Sequence, residues 1–203
     1  MKKILFLSLI AFSSLILPKR IFAATFEEAC SVLSAETPVT GDFVQKRTIA
    51  ANGRTLKSSG VFTVSKEKIV WQTQKPVKNT VTITQGKIQT TDSKGKTTVL
   101  DSQQNQMFEL ISKMMGSLFS GNRAELEEYF YVDFFTDDET GLWNMKLSPK
   151  DSTVSQAINF IRLCGNDTFM VQMETVQSSG DSILYEFTNA QTSTQASGFV
   201  SRP

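Results

Sequence analysis

From Val39 onward, apolar and polar side chains alternate with a period of two through most of the chain, and this alternation constrains its folding more than any other feature. Such a pattern scatters apolar groups around a helix, but on a strand it gathers them on one face. The segments "GDFVQKRTI", "RTLKSSGVFTV", "EKIVWQTQ", "NTVTITQ", "KIQTTD" and "KTTVLD" run from Gly41 to Asp101. Between them stand Asn52-Gly53, Lys66-Glu67, Lys75-Pro76, Gln85-Gly86 and Lys94-Gly95, all with turn chemistry. The period returns in "YFYVDFF", "GLWNMKLSP", "AINFIRLCG", "TFMVQMETV" and "SILYEFTNA", with a tight turn from Ser178 to Asp181. The count is about eleven strands, which makes the chain mainly β, with one large, curved antiparallel sheet as the expectation. The polar tail from Gln191 is expected to lie loose.

Along the early strands Phe43, Phe62, Val64, Trp71, Val81 and Ile83 share one face, and Lys, Thr, Gln and Ser occupy the other. A sheet with one large apolar face needs a cover. The cover is legible in "QQNQMFELISKMMGSLFSGN", where Met107, Phe108, Leu110, Ile111, Met114, Met115, Leu118 and Phe119 recur at helical spacing. A second short helix, "AELEEYF", follows the Gly121-Asn122 break. Ahead of the strands, "TFEEACSVLSA" sets Phe26, Ala29, Val32 and Leu33 on one helical stripe, with Thr25 and Glu28 as a capping box.

The first residues, "MKKILFLSLIAFSSLILPKRIFAA", pass from Lys2 and Lys3 through an apolar run to a small-residue cleavage site after Ala23. That is the pattern of a secretory signal peptide at 1–23, leaving 24–203 as a single domain. The rival reading, an uncleaved anchor, suffers because the apolar run is shorter than the roughly 20 residues of a spanning helix. Cleavage removes Lys2, Lys3, Lys19 and Arg20 and no acid, leaving 17 basic against 20 acidic residues, so the net charge passes from +1 to −3. That balance, with no clustered basic run, argues against nucleic acid as a partner. Cys30 and Cys164 are the two cysteines of an exported chain. Paired, they would close a long loop and add about 4 to 5 kcal/mol; unpaired, they are two buried thiols.

The chain has no histidine, which removes the usual general base, the Ser-His and Cys-His pairs and the commonest zinc ligand. The acidic run Asp137, Asp138, Glu139 precedes Gly141 between two strands and reads as a solvated turn. No glycine-rich loop follows a strand and opens a helix, so phosphate cradling has no candidate, and no metal or cofactor is expected. Met107, Met114 and Met115 on the covering helix, with Met145 and Met173 in strands, supply soft apolar surface of the kind that adapts to varied ligands. A plainly packed helix on a sheet has the same pattern.

The order of motifs adds a further indication: "GDFVQKRT", then "GVFTVSKEKIVWQTQKP", "TITQGK", the helix pair, "LSPKDS" and a final "SSGDSILYEFTN" hairpin. In this order the chain resembles the LolA family of periplasmic outer-membrane lipoprotein carriers, over nearly all of 24–203. The resemblance implies an incomplete antiparallel β-barrel covered by a helical lid, with an apolar space between them that receives the acyl chains of a lipoprotein. Trp71, before the "QTQKP" corner, matches the family's tryptophan near the corresponding proline. Carried over by position, Phe43, Phe62, Val64, Trp71, Val81 and Ile83 line the sheet wall, Phe130, Val132, Trp143, Met145 and Leu147 continue it, and Phe108, Ile111, Met114 and Met115 form the lid face. The family arginine after the G-x-x-x-V strand is replaced by "SKEK", which makes Lys66 the candidate latch. The implied protein is a monomeric, non-catalytic periplasmic carrier of lipoprotein from inner to outer membrane. Its implied partners are an inner-membrane lipoprotein-releasing ABC transporter and an outer-membrane acceptor. The alternatives are a periplasmic carrier of another lipid or lipid-linked metabolite and a non-catalytic secreted interaction module. An enzyme working through carboxylates comes last.

Overall fold

The structure is a computed structural model that describes residues 24–34, 37–84, 86–101 and 106–192, apart from the side chains of 106–108. The proposed signal peptide at 1–23 therefore lies outside the described residues.

The chain opens with α1, Phe26–Leu33, started by the expected capping box: Glu28 N donates to Thr25 Oγ1 at 3.2 Å and Thr25 N donates to a Glu28 carboxylate oxygen at 2.7 Å. Six strands follow as a meander: β1 Val39–Ile49, β2 Arg54–Val64, β3 Lys68–Lys75, β4 Asn79–Thr84, β5 Lys87–Thr91 and β6 Thr97–Asp101. Then come α2, Gln106–Leu118, and α3, Arg123–Tyr129. A second meander finishes the described chain: β7 Phe130–Thr136, β8 Trp143–Pro149, the one-turn α4 Ser152–Ser155, β9 Ile158–Gly165, β10 Met170–Gln177 and β11 Ser182–Thr192.

All eleven strands join one antiparallel sheet in the order β6-β5-β4-β3-β2-β1-β11-β10-β9-β8-β7. The two meanders are fused by pairing the first strand with the last, Phe43 opposite Phe187 and Gln45 opposite Tyr185. β6 and β7 remain unpaired edges, so the sheet is open and does not close into a barrel. The tail expected to be loose from Gln191 is instead in β11 as far as Thr192, because Gln191 and Thr192 pair with Thr40 and Val39. α4 has no counterpart in the sequence reading. It is started by Asp151, whose carboxylate accepts from the backbone N–H of Thr153 and Val154 at 2.8 and 3.0 Å.

Register places the apolar alternates together, since directly opposed residues share a face. Val39, Val64, Ile69, Ile83, Ile88 and Leu100 form one transverse row, and Gly41, Phe62, Trp71, Val81 and Thr90 form the next. Curvature between β2 and β3 depends on Gly60, where the register shifts: a Cβ there would lie 1.9 Å from the Gln72 carbonyl oxygen. The outer face carries threonines such as Thr63, Thr80 and Thr82 and cross-strand ion pairs such as Lys46 with Glu186 at 2.8 Å.

Candidate functional site

The two halves of the inner face are covered differently. Over β7 to β10, α1, α3 and α4 pack down closely: Phe130, Trp143, Met145, Leu147 and Leu163 are each at most 1% exposed. Trp143 lies across Gly165, and its Nε1 donates to the Asn166 carbonyl at 2.7 Å. Phe26 of α1 meets Phe134 at 5.4 Å between ring centroids. Over β3 to β5 the cover is looser: Ile69 of β3 is buried, but Trp71, Val81, Ile83 and Ile88 are only half-buried.

α2 crosses between these halves. It touches β6 at one side and α3 and α4 at the other, and Gly86 N donates to Ser112 Oγ at 3.4 Å. Met114 and Leu118 are buried in the core, Met115 and Leu110 pack against it, and Ile111 is half-buried. The lid face expected from helical phase is therefore the one turned inward at Met114 and Met115. Phe108 belongs to α2, but its side chain lies outside the described residues.

Where α1 and the end of α2 meet the sheet, a void of about 60 Å³ remains. Val32 and Leu33 of α1, Phe119 just beyond α2, Val39, Phe62, Val64 and Trp71 of the first meander, and Thr168, Phe169, Met170, Phe187 and Ala190 of the second line it, and it is partly open to the surface. Below it an aromatic cluster runs through the seam of the sheet. Phe62 meets Phe187 edge-on at 5.1 Å, Phe43 meets Tyr185 at 5.8 Å, and Tyr185 stacks on Phe187 at 6.1 Å. Burial pushes the Tyr185 hydroxyl up from its usual pKa.

Of the wall expected from sequence, Phe62, Val64 and Trp71 reach the void, Phe43 lies buried in the aromatic cluster, and Val81 and Ile83 stand further along the half-covered sheet. Phe130, Trp143, Met145 and Leu147 are not wall residues of this void. They share the apolar face but are sealed by the helices above them, and Val132 packs against the same core. Sequence reasoning missed Val32, Leu33 and Phe119 as lining residues although their helical stripes were recognised. It also missed Phe187, whose alternation in "SILYEFTN" was the available signal.

A larger depression of about 320 Å³ lies around β2 and β3, lined by Val61, Thr63, Ser65, Lys68, Val70 and Gln72 as well as Phe62. Val61 opposes Gln72 and Thr63 opposes Val70, so most of its lining belongs to the outer, mixed-polarity face and is not suited to an apolar tail. Lys66 is exposed in the β2–β3 turn at the rim of this hairpin.

Cys30 and Cys164 are both buried and free. Cys30 belongs to the inner core, whereas Cys164 is flanked in β9 by the inward-facing Leu163 and by Gly165 against Trp143, so it faces the other way. The pairing entertained from the sequence is therefore not made. Burial pushes the Cys30 thiol up to about 11 and raises Cys164 in the same sense, which makes both poor nucleophiles. The acidic run is a turn: Asp137 accepts from the N–H groups of Glu139 and Thr140 at 3.0 and 2.8 Å and from the Thr140 hydroxyl at 2.9 Å. Those bonds hold its pKa below the usual value.

A family model described as "Outer membrane lipoprotein carrier protein LolA-like" matches residues 26–198. No curated protein is found to match the chain. Among solved structures it is similar to a LolA superfamily protein from Nitrosomonas europaea, at 9% identity and a TM-score of 0.43 over 82% of this chain and 90% of that one. It is also similar to a putative outer membrane lipoprotein-sorting protein domain from Vibrio parahaemolyticus, at 8% identity and a TM-score of 0.40 over 81% and 89%.

Proposed function

The chain belongs to the LolA-like family of outer membrane lipoprotein carrier proteins, and from that premise we propose that it is a periplasmic carrier shielding the acyl chains of lipoproteins between inner and outer membrane. The observation that carries this reading is the unequal covering of one apolar face, sealed over β7 to β10 and half-covered over β3 to β5 beside the void. A protein whose helices served only to complete a core would seal both halves, since an apolar face left half-open forfeits stabilisation.

The void of about 60 Å³ is a fifth of the roughly 300 Å³ at the small end of ligand pockets, so taking in an acyl chain requires α2 and α1 to move off the sheet. The energetics allow it. Each methylene withdrawn from water is worth about 0.8 kcal/mol, so about ten of them contribute about 8 kcal/mol toward lifting the lid. α2 suits such movement because Met114 and Met115 repack at low cost and because the strand it touches, β6, is an edge strand. No step in this cycle requires catalysis. In this reading Lys66 is the latch, and the partners are a releasing ABC transporter at the inner membrane and an acceptor at the outer one.

The test is to express the full chain with its leader, recover it from periplasm without detergent, and identify by mass spectrometry what accompanies it. Acylated protein is the expected finding. Free lipid instead would redirect the assignment to another lipid cargo, and a protein that arrives bare and binds no acyl probe would overturn carriage.

A further inference from the structure

Two polar atoms of the half-covered sheet are buried and, among the described residues, lack a hydrogen-bond partner: Nε1 of Trp71 and Oδ1 of Asn79. Buried polar groups in folded proteins are nearly always paired, so an unpaired one marks either a cost carried without return or a partner that arrives later. The chain's other indole, Trp143, is satisfied by the Asn166 carbonyl at 2.7 Å. The two residues that carry the unpaired atoms are also close in the sheet. In the β3–β4 register Trp71 opposes Val81 and Thr73 opposes Asn79, so Trp71 and Asn79 are diagonal partners on one face, typically about 7 to 8 Å apart and within reach of long side chains. Trp71 lines the void, and its ring meets the half-buried Tyr185 edge-on at 5.9 Å, while Thr73 and Thr90 are the hydroxyl-bearing residues that share its face in β3 and β5.

From this juxtaposition we infer that Trp71 and Asn79 form a polar anchor for the linkage at the head of the cargo's acyl chain, an acyl amide whose carbonyl accepts from Trp71 Nε1 and whose N–H donates to Asn79 Oδ1. The inference rests on the carrier reading and names the chemistry the carrier selects. An indole N–H only donates and an amide oxygen only accepts, so the matching group must bring one acceptor and one donor. A hydrocarbon brings neither and an ester brings only the acceptor. A trans amide brings both, pointing in opposite directions, as bridging two side chains on neighbouring strands requires. The apolar tail then lies toward Phe62, Val64 and Phe119.

The experiment uses the full-length mature protein and three probes of equal chain length, a hydrocarbon, its methyl ester and its N-methyl amide, each competing with a fluorescent apolar dye. The expected order is amide over ester over hydrocarbon, each step about tenfold, the worth of one hydrogen bond completed in a buried site. Trp71→Phe should abolish the ester-over-hydrocarbon step, and Asn79→Leu the amide-over-ester step, each read as the ratio of probe affinities within one variant, so that any change of the apolar wall cancels. Equal binding of the three probes by the unaltered protein overturns the anchor while leaving carriage intact, and so does a preference that survives both substitutions. Failure of every probe to bind overturns carriage and the anchor together.

Discussion

Replacing Phe62 by alanine tests whether the two halves of the inner face differ as their packing indicates. Phe62 is 7% exposed, meets Phe187 edge-on at 5.1 Å, covers Gly41 and borders the void. Truncating a buried phenylalanine costs about 3 to 5 kcal/mol through lost transfer energy and the space left behind. A domain of this size has about 5 to 15 kcal/mol in total, so the variant stays folded near room temperature but unfolds at much lower urea. Phe130→Ala should cost the same, because Phe130 is 1% exposed. The two differ in what the space adjoins. In Phe62→Ala it opens into a void of about 60 Å³, and an enlarged apolar cavity accepts apolar ligands; in Phe130→Ala it is enclosed beneath the helices. Urea titration followed by circular dichroism gives the stabilities, and dye displacement by an acyl probe gives the affinities. Phe62→Ala should bind more tightly than the unaltered protein, and probe at a hundred times its Kd should restore about 2.7 kcal/mol of the loss. A cost below about 1 kcal/mol for Phe62→Ala, or equal tightening in Phe130→Ala, would refute the division of the face.

Met115→Asp sets a carboxylate on the inward side of α2 and should weaken acyl-probe binding more than tenfold, whereas Lys113→Asp, exposed on the same helix, should not; retained binding by Met115→Asp removes α2 as the lid. Gly60→Ala drives a Cβ to 1.9 Å from the Gln72 carbonyl and should cost on the order of 3 kcal/mol or more in urea unfolding. Gly116→Ala, inside α2 with nothing within 4 Å, should gain about 0.5 to 1 kcal/mol from helix propensity, a contrast in sign that checks both local geometries. Because the Cys30 pKa is raised from 9.0 to about 11, the folded state resists losing that proton; the associated stability is complete below pH 9 and lost as pH rises from 9 through 11. Cys164 shifts in the same direction. The urea midpoint should therefore fall over that interval, less steeply in Cys30→Ala, and an identical slope in the variant would exclude Cys30 as its source.

The residues that were misjudged have a common character. Gln191 and Thr192 looked loose because they are polar, yet they pair with residues at the far end of the domain, Thr40 and Val39. α4 was invisible because four residues cannot display a 3.6-residue period; only the Asp151 cap in "LSPKDS" hinted at it. Phe130, Trp143, Met145 and Leu147 were assigned to the correct face but to the wrong surroundings, since parity along a strand says which way a side chain points and nothing of what lies above it.

By itself the sequence determined the strands, their turns, the faces they present and the stripe of α2, because all of these follow from spacing between residues close in the chain. Only the tertiary structure decided that β1 joins β11, that β6 and β7 stay apart, and that the helices seal the β7–β10 half of a continuous apolar face, cover the β3–β5 half less closely, and leave a void at the seam between them. The physical reason is that hydrophobic attraction has no direction: it requires that the apolar face be covered, while the place and closeness of the cover depend on how helices of fixed length and shape fit the curvature of the sheet.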